Sequence, residues 1–314
     1  MLYVLIPLVL LLVLVLSVSL YAFLRGSTRR DRTELFRAST VAPSGRYKYR
    51  DRVQLGVDWY ESQPKTELTI TSRDGLKLVA DLIEAEDPVG LIVAAHGFRS
   101  WPAREFALIA KHLHEQGYTV LYPYMRAHRK SEGKYITFGV KERYDIAAWA
   151  RLLAKMHPDL PLFLYGQSMG GATVIMATGL DLPANTRGVI ADSAFFSPKD
   201  VIGTALVHSY KVPTFPMLPA MDLWARIIAG YSLTATTCRD ALDKTNLPFL
   251  FIHGKLDELV PYDMGYQNYV ECHTEKMMLT VDTAAHCASY YVDPVRYIAY
   301  LDDFLKKYGK IPLQ

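Results

Sequence analysis

Gly166-Gln167-Ser168-Met169-Gly170 constrains the fold of this chain more than any other stretch. The apolar run Pro161-Leu162-Phe163-Leu164-Tyr165 leads into it and reads as a buried strand. The small-residue stretch Gly171-Ala172-Thr173-Val174 leads out and reads as a helix. A strand that turns into a helix within five residues holds the central serine in a strained backbone geometry. Gly166 and Gly170 are then needed, because a side chain at either place would collide with the strand or the helix. Such a turn presents a hydroxyl instead of packing it, which is the geometry of a nucleophile elbow. At average usage a Gly-x-Ser-x-Gly string arises by chance in roughly one chain of this size in ten, so the strand-turn-helix setting carries the reading.

An elbow serine is inert at neutral pH without a base and an acid that orients the base. In this architecture they follow in the order Ser, Asp or Glu, His. Phe249-Leu250-Phe251-Ile252-His253-Gly254 is a buried-strand pattern, and the loop after it carries Asp257. Lys276-Met277-Met278-Leu279-Thr280-Val281 is a further strand, followed by His286 and then a closing helix at about Pro294 to Lys307. Ser168, Asp257 and His286 therefore all fall just past the carboxyl ends of strands, where open α/β sheets place their ligands. Asp192, after Gly188-Val189-Ile190-Ala191, is the rival acid, and His273 in its polar loop is the rival base. His96 and His253, beside glycines at strand ends, read as structural hydrogen-bonding residues. His128, amid Arg126, Arg129 and Lys130, reads either as a residue that fixes a loop or rims the pocket, or as part of a solvated face.

A charge developing on a carbonyl oxygen needs two backbone N–H donors. Leu91 to Ala95 forms a strand running into His96-Gly97-Phe98. Gly97 allows a sharp turn that aims the Phe98 N–H into the site, and Met169 at the helix start supplies the other donor.

These motifs resemble the α/β-hydrolase-fold serine hydrolases, in particular the bacterial group with lysophospholipase-like, feruloyl-esterase-like and serine-aminopeptidase-like (S33) members. The resemblance runs from about Glu67 to Tyr308. It passes through His96-Gly97-Phe98, Arg126-Ala127-His128, Ser131-Glu132-Gly133, the elbow with Gly171, Asp192-Ser193, His253-Gly254 with Asp257, and Ala285-His286. It implies an α/β fold with a mostly parallel eight-stranded sheet, flanking helices and a helical lid. Similar proteins usually carry Asp where Tyr124 stands and Gly where Arg129 stands.

Met1 to Leu24 contains no charged side chain and is mostly Leu, Val and Ile. About 20 apolar residues suffice for a helix to cross a bilayer, so residues 1–24 read as a single transmembrane anchor. A cleaved leader would have basic residues before a shorter apolar core. Arg25, Arg29, Arg30, Arg32 and Arg37 outnumber Asp31 and Glu34 after the span, which by the positive-inside rule places the following domain in the cytoplasm.

Residues 25–65 are polar and Arg-rich and read as a juxtamembrane tether with room for one short helix. The hydrolase domain occupies 66–310. It opens on a β-hairpin, Glu67 to Ile70 and Leu76 to Ile83 across Arg73-Asp74-Gly75. Phe106-Ile109-Leu113 and Ile146-Trp149-Leu152-Leu153 have helical spacing. Net charge +3 offers no basic excess for nucleic acid. Cys238, Cys272 and Cys287 show no paired spacing, so neither a disulfide framework nor a metal site is expected. No organic cofactor is expected either.

An insertion at about 196–237 reads as a lid, with helices at Val201 to Tyr210 and Ala220 to Ala229 separated by Pro213, Pro216 and Pro219. Phe195, Phe215 and Trp224 are its candidate pocket residues, suited to an acyl or aromatic group. The expected activity is hydrolysis of carboxylic esters of small-molecule or lipid-derived substrates through an acyl-enzyme. A peptidase gripping a free amine through Glu258 or Asp263 is the alternative. A membrane-anchored binding protein of the same fold is the second alternative.

Overall fold

The computed structural model describes residues 2–30 and 48–310. Eight strands form one sheet: β1 (Thr66–Thr71), β2 (Lys77–Ile83), β3 (Gly90–Ala95), β4 (Tyr118–Pro123), β5 (Leu162–Gln167), β6 (Thr186–Asp192), β7 (Phe249–Gly254) and β8 (Lys276–Val281). Their order is β1-β2-β4-β3-β5-β6-β7-β8. β2 runs antiparallel to both neighbours, and all other neighbours are parallel. The β1-β2 turn uses Gly75 at φ +85°, a conformation that Gly adopts at no steric cost. Every residue of β3, β5 and β7 is buried, which explains their unbroken apolar runs where the edge strand β1 alternates.

Eleven helices are described: α1 (Leu2–Ser27), α2 (Arg50–Ser62), α3 (Pro102–Glu115), α4 (Glu142–Met156), α5 (Met169–Ala177), α6 (Pro198–Thr204), α7 (Thr214–Trp224), α8 (Cys238–Leu242), α9 (Tyr262–Glu271), α10 (Ser289–Val292) and α11 (Pro294–Tyr308). One side of the sheet buries Trp149 and Leu153 of α4 together with α5. The other buries Phe106 of α3 with Tyr297 and Phe304 of α11. This is the α/β-hydrolase fold, and it sets the carboxyl ends of β3, β5, β7 and β8 along one edge of the sheet.

Part of the expected tether is a helix packed on the domain. α2 lies on α3 with Val53 and Tyr60 buried, and a Cβ on Gly56 would stand 2.4 Å from the Ala107 backbone, so only glycine permits this approach. Asp31, Arg32, Glu34 and Arg37 lie outside the described residues.

The lid differs from its expected outline. Its first helix begins at Pro198, capped by Ser197, and ends in a wider π-type turn over Ala205–Ser209. Pro216 and Pro219 lie within α7 and do not precede it. Phe215 is extended (φ −100°, ψ 132°), so the regular helix starts at Pro216, and both prolines fall in the first turn, where N–H groups have no intrahelical acceptor. A second π-type turn, Ala225–Ala229, ends on Gly230 in the left-handed conformation.

α1 is long and apolar enough to cross a membrane, and its residues from Leu5 to Leu14 are exposed. Its second half is docked on the lid. Phe23 is buried with Val140, Ile202, Leu206, Met217 and Met221, and Val15 and Ala22 pack against the same cluster. The Trp224 indole N–H donates to the Leu16 carbonyl and the Ser19 hydroxyl, both at 3.1 Å.

Candidate active site

Ser168 sits between β5 and α5 at φ 56°, ψ −121°. A non-glycine residue is held there only if its surroundings fix it. Those surroundings are close: a Cβ on Gly166 would lie 2.2 Å from the Gly170 carbonyl oxygen, and one on Gly170 would lie 1.9 Å from that of Ala95. The Ser168 N–H donates to the Asp192 carbonyl at 2.8 Å, tying the turn to the end of β6.

His286 follows β8, and its Nε2 lies 2.8 Å from Ser168 Oγ. Its Nδ1 lies 2.7 Å from Asp257 Oδ2. Asp257 follows β7, and its other oxygen accepts the Leu259 and Val260 amides at 3.0 and 2.8 Å. The carboxylate is therefore fixed at both oxygens. His253 stands behind it, with Nε2 2.9 Å from the Val260 carbonyl and 3.4 Å from Asp257 Oδ2. Gly265 of α9 makes room for that ring, since a Cβ there would lie 2.0 Å from His253 Nδ1.

The electrostatics follow from burial and charge. Burial alone would raise the Asp257 carboxyl, but the facing charge of His286 and the hydrogen bonds of both histidines hold it well below the usual carboxylate range. Burial alone would lower His286, and the Asp257 charge outweighs it and raises the imidazole well above its ordinary value. The pair thus favours a proton on His286, the state that follows proton removal from a serine.

Phe98 lies on the loop after β3, which neighbours β5 in the sheet. A Cβ on Gly97 would stand 3.1 Å from Ser168 Cβ, so this loop is packed directly against the elbow. Met169 opens α5, where the N–H groups lack helical acceptors. Two buried histidines brace the loop. His96 Nδ1 lies 2.8 Å from the Gly97 carbonyl, and its Nε2 accepts the Met125 amide at 3.0 Å. His128 Nδ1 lies 2.8 Å from the Arg126 carbonyl, and its Nε2 accepts the Arg99 amide at 2.9 Å. These partners require both rings to carry their proton on Nδ1. Burial keeps them neutral, His96 being lowered to about 3 and His128 lowered as well. Arg126 is held in turn by Asp145 and Asp74.

Arg99, next to Phe98, is a residue that local pattern did not single out. Its guanidinium donates to the carbonyls of Arg25 (2.6 Å), Gly26 (3.2 Å) and Thr28 (3.4 Å), closing the end of α1. Arg29 donates to the Ser131 carbonyl at 2.7 Å and to that of Arg129. The two departures from similar sequences stand nearby: Tyr124 donates to Asp81 at 2.8 Å, and the Arg129 guanidinium lies 3.7 Å from the Trp101 ring centre.

The rival acid Asp192 accepts from Tyr297 and Ser193 at 2.9 Å, beneath the elbow and not against His286. The rival base His273 is on the surface, 3.7 Å from Asp243. The candidate pocket residues are corrected in two places. Phe215 is 78% exposed, on an extended backbone ahead of the regular turns of α7, and Trp224 faces α1. Phe195 is buried in the core that also holds Met169 and Val260. Glu258 and Asp263 are exposed. All three cysteines are buried free thiols.

Residues 86–221 match the family described as serine aminopeptidase, S33. A monoacylglycerol lipase of Mycolicibacterium smegmatis is 24% identical over 231 residues, covering 64% of this chain and 82% of the lipase. A Saccharomyces cerevisiae membrane protein, YNL320W, is 26% identical over 237 residues, covering 71% of this chain and 77% of its own length. The Pyrococcus furiosus esterase Pf2001 superposes with TM-score 0.64 at 23% identity, covering 79% of this chain and 94% of the esterase. Together with the strand order described above, these likenesses show the α/β-hydrolase fold.

Proposed function

We propose that this chain is a membrane-anchored serine esterase that cleaves carboxylic acyl esters through Ser168, His286 and Asp257. The reading rests on one observation: the serine hydroxyl, imidazole and carboxylate form a continuous line of contacts at 2.8 and 2.7 Å. His286 takes the hydroxyl proton as Ser168 Oγ attacks the ester carbonyl, and the resulting oxyanion is held by the Phe98 and Met169 amides. His286 then returns the proton to the leaving alcohol, leaving an acyl-Ser168 ester. Water repeats the sequence, giving the free acid and the original hydroxyl. Asp257 keeps its charge throughout and orients the ring.

The esterase and lipase relatives support an ester as the scissile group. The aminopeptidase family supports amide cleavage as a second reading, but Glu258 and Asp263 point to solvent and give it no amine-binding pair. The anchor reading is supported by the docking of α1, since removing it as a leader would uncover Phe23, whose burial contributes roughly 1.5–3 kcal/mol. The excess of Arg after the span favours a cytoplasmic domain.

A fluorophosphonate should label the full chain at Ser168 and fail to label Ser168→Ala. A panel of aryl esters and aminoacyl amides should show turnover of the esters. Absence of labelling would leave a binding protein, and preference for amides would leave a peptidase.

A further inference from the structure

We propose that the lid is immersed in the membrane leaflet beside α1, and that the substrate is a lipid acyl ester that enters from the bilayer. This rests on the esterase reading for its chemistry, and on separate observations for its geometry. Arg25 is the first charged residue after the apolar run, and Leu16 lies nine residues before it. At 1.5 Å per residue that is about 13 Å along the helix, close to the middle of a hydrocarbon core about 30 Å thick. Yet Leu16 is where the Trp224 indole is bonded, and Ser19, its other acceptor, is fully buried. A helix that spans with Arg25 at the headgroups therefore carries the lid down with it.

The exposed surface supports that depth. Where α1 is docked, its outer face still shows apolar or aromatic groups, with Val18 41% and Tyr21 67% exposed. On the lid, Leu223 and Ile227, four residues apart and flanking Trp224, are 45% and 65% exposed, and Phe215 is 78% exposed. Apolar groups exposed both on a spanning helix and on the element docked against it are covered by the same lipid. The charges on this part of the lid, Asp222 and Arg226, are paired at 2.7 Å, with Asp222 also accepting from Ser232 and the Leu233 amide. That pairing lowers the cost of carrying both side chains into the leaflet. An ester in the leaflet would then reach Ser168 without crossing water, so the favoured class is a long-chain acyl ester held in the bilayer.

The test uses the full chain in phosphatidylcholine vesicles. The three native cysteines are buried, so Ile227→Cys and, as a control outside the lid, Val295→Cys on α11 (79% exposed) can be labelled selectively with a fluorophore. A nitroxide placed midway along the lipid acyl chain should quench the probe at 227 on the order of threefold more than the probe at 295. The double variant Leu223→Asp, Ile227→Asp should lower the ratio of turnover on a vesicle-borne monoacyl ester to that on a short soluble aryl ester by about tenfold, a quantity independent of the amount of folded enzyme. Equal quenching at the two positions, or an unchanged ratio, would overturn the proposal. If the parent chain cleaves neither ester while the probe at 227 is strongly quenched, the esterase reading falls and the immersion of the lid stands.

Discussion

The strand ends and the lid hold their parts by opposite means. At the carboxyl ends of β3, β4 and β7, polar atoms are fixed by polar partners: Asp257 has ligands at both oxygens, and His96 and His128 each use both ring nitrogens. Under the lid, Phe23 and its neighbours are held by apolar burial, with the Trp224 indole supplying a directional bond to α1. Chemistry that requires sub-ångström placement sits on the first kind of packing. On the proposed reading, a surface that accommodates acyl chains of varied shape tolerates the second.

Changes at the strand ends should therefore cost rate, and changes under the lid should cost stability. Ser168→Ala should give the largest effect, lowering kcat on an aryl ester by on the order of 10⁶ with the circular dichroism spectrum retained. Asp257→Asn should lower kcat by about 10⁴ and move the acid limb of its pH profile. The base works only when neutral, so activity rises with pH through the His286 titration. In the parent chain the Asp257 charge places that limb above the ordinary histidine value, and in Asp257→Asn that charge is gone, so the limb moves to lower pH. A limb that moved upward would contradict the assigned partner.

Phe23→Ala should cost about 3–5 kcal/mol of lid stability by emptying a buried site. Limited proteolysis should show this as faster cleavage in residues 196–237, with the sheet remaining intact. Arg99→Ala should give the smallest effect, about a tenfold loss in kcat with KM little changed, because it loosens the Phe98 loop without touching substrate. An equal loss in KM would place Arg99 in binding instead.

The same contrast decides what could be read from the sequence. The elbow, the turn at Gly75 and the closing helix α11 are written in local pattern: flanking glycines, alternation and helical spacing. Asp257 and His286 were legible because strand ends in this topology converge. The docking of α1 was not, since it depends on which apolar surfaces meet across two hundred residues. One signal was nonetheless present: Ser19 in an apolar span, where a hydroxyl needs an acceptor or donor; Gly56 inside α2, where a helix gives up stability to permit a close approach, likewise marked the packing of α2 on α3. The expected pocket roles of Phe215 and Trp224 failed for a related reason. Aromatic content announces burial or an interface, and cannot say which face of the lid meets α1.

Arg99 also bears on how this protein is best handled. A soluble version begun at α2 would take three carbonyl acceptors from the guanidinium next to Phe98 and would strip Phe23 from the lid in the same cut. What remained would be a different catalyst, with a slacker loop against its serine and a lid missing one wall. Its rate constants would understate those of the intact chain in lipid.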